Sequence, residues 1–320
     1  MSAGTVPTYP PPPTGQRPRP LLTLAHSADA DDVFMWWPIT GKVDPADPSR
    51  VLAPPAIDTG AFGYRALPAD IQQLNVRAVT TADLEITAIS YAAYAHCAAS
   101  YVVTSCGSSF GDGYGPKLVA PSSCAGVALA EVRRRRWRIA VPGVHTTAYL
   151  VLSVLLGRDG FVPVEMPFDQ ILDAVSAGCV DAGLVIHEGQ LLFGERGLAL
   201  VADMGAWWKE QTGLPLPLGA NAVSRRLEAR FGPGSLKRVA AALKASLDHA
   251  LANRAESLAY AMTFSPLKTD AELNRYIDMY VNRWTVDAGA EGIEAVQLLL
   301  RRGADLGLLP DPGPVQMLVP

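Results

Sequence analysis

The chain has 320 residues, 49% hydrophobic and 18% charged, which is enough for a large core divided into two lobes or domains. A formal net charge of -4 gives it no general attraction for nucleic acid or an anionic membrane surface, and no stretch reaches the ~18 uninterrupted apolar residues of a membrane span. The four cysteines, Cys97, Cys106, Cys124 and Cys179, have neither CxxC spacing nor a histidine cluster, so a zinc site is not expected and buried reduced thiols of a cytosolic protein are.

Residues 1–20, "MSAGTVPTYPPPPTGQRPRP", are proline-rich and lack an apolar stretch, so a disordered or extended tail is expected and not a signal peptide. Order starts at Leu21–Ala25, a short apolar strand. Ser27 and Asp29 are N-cap candidates for a following helix, and Asp31 and Asp32 suit its first turn, where acids complement the helix dipole. Three aspartates in four positions could also hold a metal, but a second ligand cluster is missing and capping is the simpler reading. Residues 44–69 are rich in Pro, Gly and Asp and read as a long surface excursion.

"PADIQQLNVRAV" predicts a helix, and "DLEITAISYAAYAHCAASY" a strand running into a helix. "GYGPKLVA" turns into a strand, and the basic run 133–138 is expected to be a solvated loop before the next one. "RWRIAVPGVHTTAYLVLSVLL" reads as strand, glycine turn and helix. "VEMPFDQILDAVSAGCVDAGLVIHEG" reads as strand, helix, strand, and the last third carries helical three- and four-residue spacing. Strands alternating with helices argue an α/β fold with mainly parallel sheets.

Several turns fall at the carboxyl ends of strands, where open α/β sheets bind ligands. In "VPGVHTTAYL" the turn at Pro142 and Gly143 leads to Thr146 and Thr147 at a helix start. Its free N–H groups suit a carboxylate or other anion, and plain capping by threonine is the competing reading. Ser90 follows "LEITAI" at a second such place. "GDGYGP" is a third, where glycines allow close backbone approach to a ligand or simply a tight turn. His187 ends an apolar run. If residues 183–188 are extended until Gly189, His187 and Glu188 point to opposite faces and do not form a dyad. An imidazole titrates near neutrality and can serve as a base, although by local context alone a hydrogen-bonded structural histidine is the commoner case. His145 is a candidate rim residue. No nucleophile elbow, P-loop or dinucleotide fingerprint is present.

In series, "HSADADDVFMWW", "LNVRA", "ITAISYAAYA", "GYGPKLVA", "IAVPGVHTTAY", "AGLVIHEG", "GAWWKEQTGLPLPLGA" and "YVNRWTVDAGAEGIEAV" resemble the 1,4-dihydroxy-6-naphthoate synthase family of the futalosine route to menaquinone. The resemblance runs from about Leu21 to about Pro310. It departs at Ala28 and Ala30, where relatives often carry proline, and at the long excursion. It implies a two-lobed fold of the periplasmic-binding-protein type 2 with a ligand cleft between lobes. Residues 21–119 and 219–310 would form lobe 1, 120–218 lobe 2, and 311–320 a tail. It also implies a carbon–carbon lyase that converts cyclic dehypoxanthine futalosine to 1,4-dihydroxy-6-naphthoate in the cytoplasm.

His187 matches the family's catalytic base. Ala88, Ile89, Ser90, Thr146 and Thr147 match its substrate contacts, with Asn75, Ser27, Tyr114 and Gly115 completing the expected set. No cofactor or metal is implied. The expected partner is a small-molecule carboxylate, with no nucleic acid or membrane, in a monomer or homodimer. A non-catalytic carboxylate-binding protein and chorismate dehydratase, both of the same fold, are the alternative readings.

Overall fold

The computed structural model describes residues 19–311 and 313–320. The expected tail therefore lies, for residues 1–18, outside the described residues. Two sheets organise the rest. The first runs, edge to edge, Met317–Leu318, Tyr101–Thr104, Leu216–Ser224, Ile86–Ser90, Leu21–Ser27 and Gly63–Ala69, with Ser109–Gly111 also pairing Leu216–Ser224. The second runs Val162–Glu165, Arg138–Val141, Ala182–Val185, Lys117–Pro121 and Leu198–Asp203. Helices cover both, giving a two-lobed α/β fold of the periplasmic-binding-protein kind.

The sheets are mixed, where mainly parallel ones were expected. Leu21–Ser27 pairs in parallel with Gly63–Ala69 and Ile86–Ser90, but Leu216–Ser224 is antiparallel to Ile86–Ser90, Tyr101–Thr104 and Ser109–Gly111. Lys117–Pro121 is likewise antiparallel to both its neighbours. These two strands are the ones by which the chain passes between lobes. Each enters its new sheet from the cleft side and so runs against the strands that lead toward the cleft. The expected lobe borders at 119/120 and 218/219 fall inside these crossing strands.

Three local expectations give way to the structure. The excursion at 44–69 ends in a seven-residue strand, Gly63–Ala69, which edges the first sheet beside Leu21–Ser27. The C-terminal segment expected as a tail contributes Met317 and Leu318 to the same sheet, paired with Val103 and Thr104. The basic run 133–138 is not a loop. Arg133 to Arg135 close the helix Leu129–Arg135, where Glu131 pairs with Arg134 and Arg135, and Arg138 opens the next strand.

The motif residues carry the packing. Trp208 of "GAWW" is fully buried and donates Nε1 to Pro215 O at 3.1 Å. A Cβ on Gly205 would stand 1.8 Å from Tyr114 O, so the helix Met204–Thr212 can lie against the "GYG" turn only without a side chain there. Trp36 and Phe34 are fully buried in the helix Ala30–Thr40, which packs on Ser235–Ala252 and Arg254–Ala261. Of the cysteines, Cys97 and Cys106 are buried, but Cys179 is exposed; all four are free thiols.

Candidate active site

Two parallel pairs of strands end at the cleft: Leu21–Ser27 with Ile86–Ser90 in the first sheet, and Arg138–Val141 with Ala182–Val185 in the second. The turns that follow them line a cavity of about 120 Å³. Ser27, Ala88, Ile89, Ser90, Thr146, Thr147 and His187 all reach it, joined by Asp29, Asp31 and Gln190 and by Tyr276 and Tyr280 from the helix Asp270–Tyr280. Asn75, Tyr114 and Gly115, expected among the substrate contacts, do not line it. Asn75 lies fully buried behind Ser90. Its amide donates to Ser90 Oγ at 2.9 Å and accepts from Ser90 N at 2.8 Å. With that lone pair engaged, the Ser90 hydroxyl, which lines the cavity, keeps its own proton to donate. Tyr114 donates to Met279 O and stacks edge-on with Tyr280, and Gly115 abuts Gly205, so the close approach these glycines permit is to the protein's own helix.

At the Gly143 turn the threonine hydroxyls are occupied. Thr146 Oγ1 donates to Gly143 O at 2.7 Å and caps the helix Thr147–Leu156 by accepting from Tyr149 N at 3.2 Å. Thr147 Oγ1 donates to Leu218 O at 2.6 Å and accepts from Ala92 N at 3.3 Å. Among the described residues the N–H groups of Thr147 and Ala148 have no partner, and both residues line the cavity. The free donors of this helix N-terminus are therefore backbone groups, the usual grip on a carboxylate.

His187 is where the geometry departs most from expectation. The strand ends at Val185, and His187 takes a left-handed conformation with φ of 50° before a short helix begins at Gly189. Such a backbone is uncommon for a residue with a side chain and is held by its surroundings. The extended geometry assumed for 183–188 is therefore absent, and the break falls at His187, ahead of Gly189. The turn swings the imidazole across to the other lobe, where Nδ1 donates to Asp29 Oδ2. Phe168 packs its edge on the ring with centroids 4.7 Å apart. His187 Nε2 and Asp29 Oδ1 are both buried and, among the described residues, without a partner. Glu188 turns away and accepts from Ser265 Oγ at 3.1 Å.

The three neighbouring aspartates do not cap their helix by side chain. Asp29 pairs with His187, Asp31 accepts from Tyr276 Oη at 3.1 Å, and Asp32 accepts from Ser27 N at 2.7 Å and Trp36 Nε1 at 3.2 Å. Burial by itself would lower the His187 pKa, but Asp29, with Glu188 and Asp31 behind it, raises it to about 9. Burial likewise pushes Asp29 up, and the imidazolium more than reverses this, leaving it below the usual carboxylate range. Burial and the Asp29 charge raise Asp32 to about 7 and Asp31 well above the ordinary value, since so many acids cannot all ionise together. Asp29, Gln190, Tyr276 and Tyr280 were not expected in the site. The "ADADD" run drew notice only as a helix start, and the two tyrosines carried only a helical repeat of four.

The menaquinone biosynthesis family model matches residues 22–305. The chain belongs to this menaquinone biosynthesis family. Its curated relatives include the 1,4-dihydroxy-6-naphthoate synthases of Thermus thermophilus, 40% identical over 92% of this chain and 98% of the relative, and of Streptomyces coelicolor, 34% identical over 93% and 98%. Among solved structures, a protein of Archaeoglobus fulgidus superposes with TM-score 0.77 at 38% identity, covering 90% of this chain and 98% of that one. The alkanesulfonate-binding protein of Xanthomonas axonopodis, bound to MOPS, superposes at 0.65 with 16% identity over 95% and 99%, a likeness of fold alone. The chain thus has the fold of such binding proteins. Among the described residues no helix is long and apolar enough to cross a membrane.

Proposed function

We propose that the protein cleaves a carbon–carbon bond in cyclic dehypoxanthine futalosine to release 1,4-dihydroxy-6-naphthoate, with His187 as the general base. The observation that carries this reading is a buried imidazole whose Nδ1 is held by Asp29 and whose Nε2 is unpartnered at the cleft. A carboxylate on Nδ1 fixes the ring's orientation and strengthens Nε2 as a proton acceptor. The substrate carboxylate lies against the N–H groups of Thr147 and Ala148, and the Ala88–Ile89–Ser90 turn holds the opposite side. His187 Nε2 takes a hydroxyl proton. The oxygen's electron pair closes to a carbonyl as the adjacent carbon–carbon bond breaks, the other carbon of that bond takes the bonding pair and regains the proton from His187 Nε2, and the ring system aromatises as the fragment leaves. The Asp29–His187 pair joins residues of the two lobes, so the base is oriented only when the lobes are together.

His187→Ala is expected to lower kcat by about 10²–10⁴-fold, the usual share of a general base, in a protein that still folds and binds product. Mass spectrometry of the wild-type reaction separates the alternatives. Binding without naphthoate formation would mark a non-catalytic binder, chorismate turnover would mark the dehydratase, and normal turnover by His187→Ala would exclude the base.

A further inference from the structure

The helix Ile71–Thr80 begins at the margin of the cleft. Asp70 caps it, accepting from Gln72 N at 2.9 Å and Gln73 N at 3.1 Å, which fixes the backbone of Gln72. Gln72 is 8% exposed although it sits in a first helical turn. Its side chain leaves lobe 1 altogether. Nε2 donates to Glu165 Oε1 at 3.2 Å and Oε1 accepts from His145 N at 3.3 Å. Glu165 ends a strand of the second sheet, and His145 belongs to the turn that opens the helix Thr147–Leu156.

Gly143 of that turn supplies an independent observation. A Cβ there would stand 2.2 Å from Gln72 Cδ and 2.3 Å from its Oε1, and its φ of +145° is itself one that side chains rarely adopt. The space that a side chain would fill holds the Gln72 amide. Asn75, three residues on and so on the same helix face, donates to His145 O at 3.4 Å and to Ser90 Oγ at 2.9 Å. Two amides from one helix thus hold His145 by its N–H and its C=O, and one of them also orients Ser90.

We propose that Gln72 is a positioning residue that locks the anion-binding turn of the second lobe onto the first. By doing so it sets the distance between Ser90 and the Thr147 and Ala148 N–H groups. The inference rests on reading that turn as the carboxylate end of the site.

The full-length protein carrying Gln72→Ala, Gln72→Glu, Glu165→Gln, or the last two together tests it. Steady-state kinetics, titration with 1,4-dihydroxy-6-naphthoate, and hydrogen exchange at the His145 amide in the ligand-free protein are the readouts. Gln72→Ala removes two hydrogen bonds, one to a charged acceptor. It should raise KM and the product Kd about tenfold while kcat changes less than about threefold. It should also speed exchange at His145. Gln72→Glu should be impaired at least as much, because its carboxylate faces Glu165. The double variant exchanges donor and acceptor and should recover to within about threefold of wild type. Wild-type KM, product affinity and His145 exchange in Gln72→Ala would overturn the proposal. So would an impaired Gln72→Glu that Glu165→Gln does not rescue. Exchange at His145 does not depend on the substrate assigned. A wild-type enzyme inactive on cyclic dehypoxanthine futalosine therefore overturns the reaction, and exchange still decides the lock.

Discussion

Asp29→Asn removes the charge beside His187 and keeps the size of the side chain. In the native site burial opposes the charged imidazole, yet Asp29, Glu188 and Asp31 together carry its pKa from 6.5 to about 9. At ~1.36 kcal/mol per pH unit, that corresponds to about 3 kcal/mol in favour of the charged ring. Of these three acids Asp29 is the one paired with the ring; Glu188 and Asp31 act through their charge alone. With asparagine at 29, burial regains the larger share, and His187 is expected to titrate at or below the ordinary imidazole value. Ring carbon shifts of His187, followed by NMR over roughly pH 5 to 10, measure this in the ligand-free protein.

Kinetics report the same group, because kcat/KM follows the ionisations of the free enzyme. Its acid limb is expected near pH 9 in the wild type and at lower pH in Asp29→Asn. Stability carries a matching signature. His187 holds its proton more tightly folded than unfolded, so this contribution is complete below an unfolded pKa of about 6.5 and fades as pH rises through about 9. Asp29, lowered in the fold, loses its own contribution only as pH falls through its folded value, below the ordinary 3.8. Urea unfolding should therefore show the wild type ahead of Asp29→Asn near neutrality and losing that lead toward pH 10. A His187 midpoint in Asp29→Asn within roughly half a pH unit of wild type would refute the reasoning.

Two further substitutions test the scaffold of the site. Asn75→Ala leaves the buried Ser90 N–H without its acceptor and frees the Ser90 hydroxyl, so a loss of about 1–3 kcal/mol in chemical unfolding is expected together with a higher KM; unchanged stability and KM would show that Asn75 does not organise Ser90. Gly205→Ala places a methyl within 1.8 Å of Tyr114 O and 2.5 Å of Gly115 N, which outweighs the better helix propensity of alanine and should destabilise by about 1–3 kcal/mol. A thermal melt at or above the wild-type Tm would contradict that close backbone contact.

Local chemistry was legible wherever one segment decides its own structure. The segment "PADIQQLNVRAV" forms the helix Ile71–Thr80, Thr146 caps the helix after the glycine turn, and the apolar run before Ser90 is a buried strand. The tie between distant segments was not legible. Gly63–Ala69 carries Gly, Pro and Arg and looks like loop, and only the neighbouring strand Leu21–Ser27 makes it sheet. Met317 and Leu318 likewise become a strand because Tyr101–Thr104 offers a free edge. His187 read as the end of a strand because an alternating pattern cannot report a left-handed residue, a conformation stabilised by what the side chain meets.

The sequence by itself determined the family, the α/β alternation and the turns that end at the cleft, since periodicity, caps and ordered motifs are properties of contiguous residues. Only the tertiary structure decided that Asp29 is the partner of His187, that the threonine hydroxyls are occupied while backbone N–H groups remain free, and that Gln72 fills the space beside Gly143. The Asp29–His187 pair, the two bonds of the Thr147 hydroxyl and the Gln72 contact each join groups at least 55 residues apart, brought together by strands that cross between the lobes. Their distances and mutual burial, which set both hydrogen bonding and the pKa of the imidazole, exist only once the two lobes are packed.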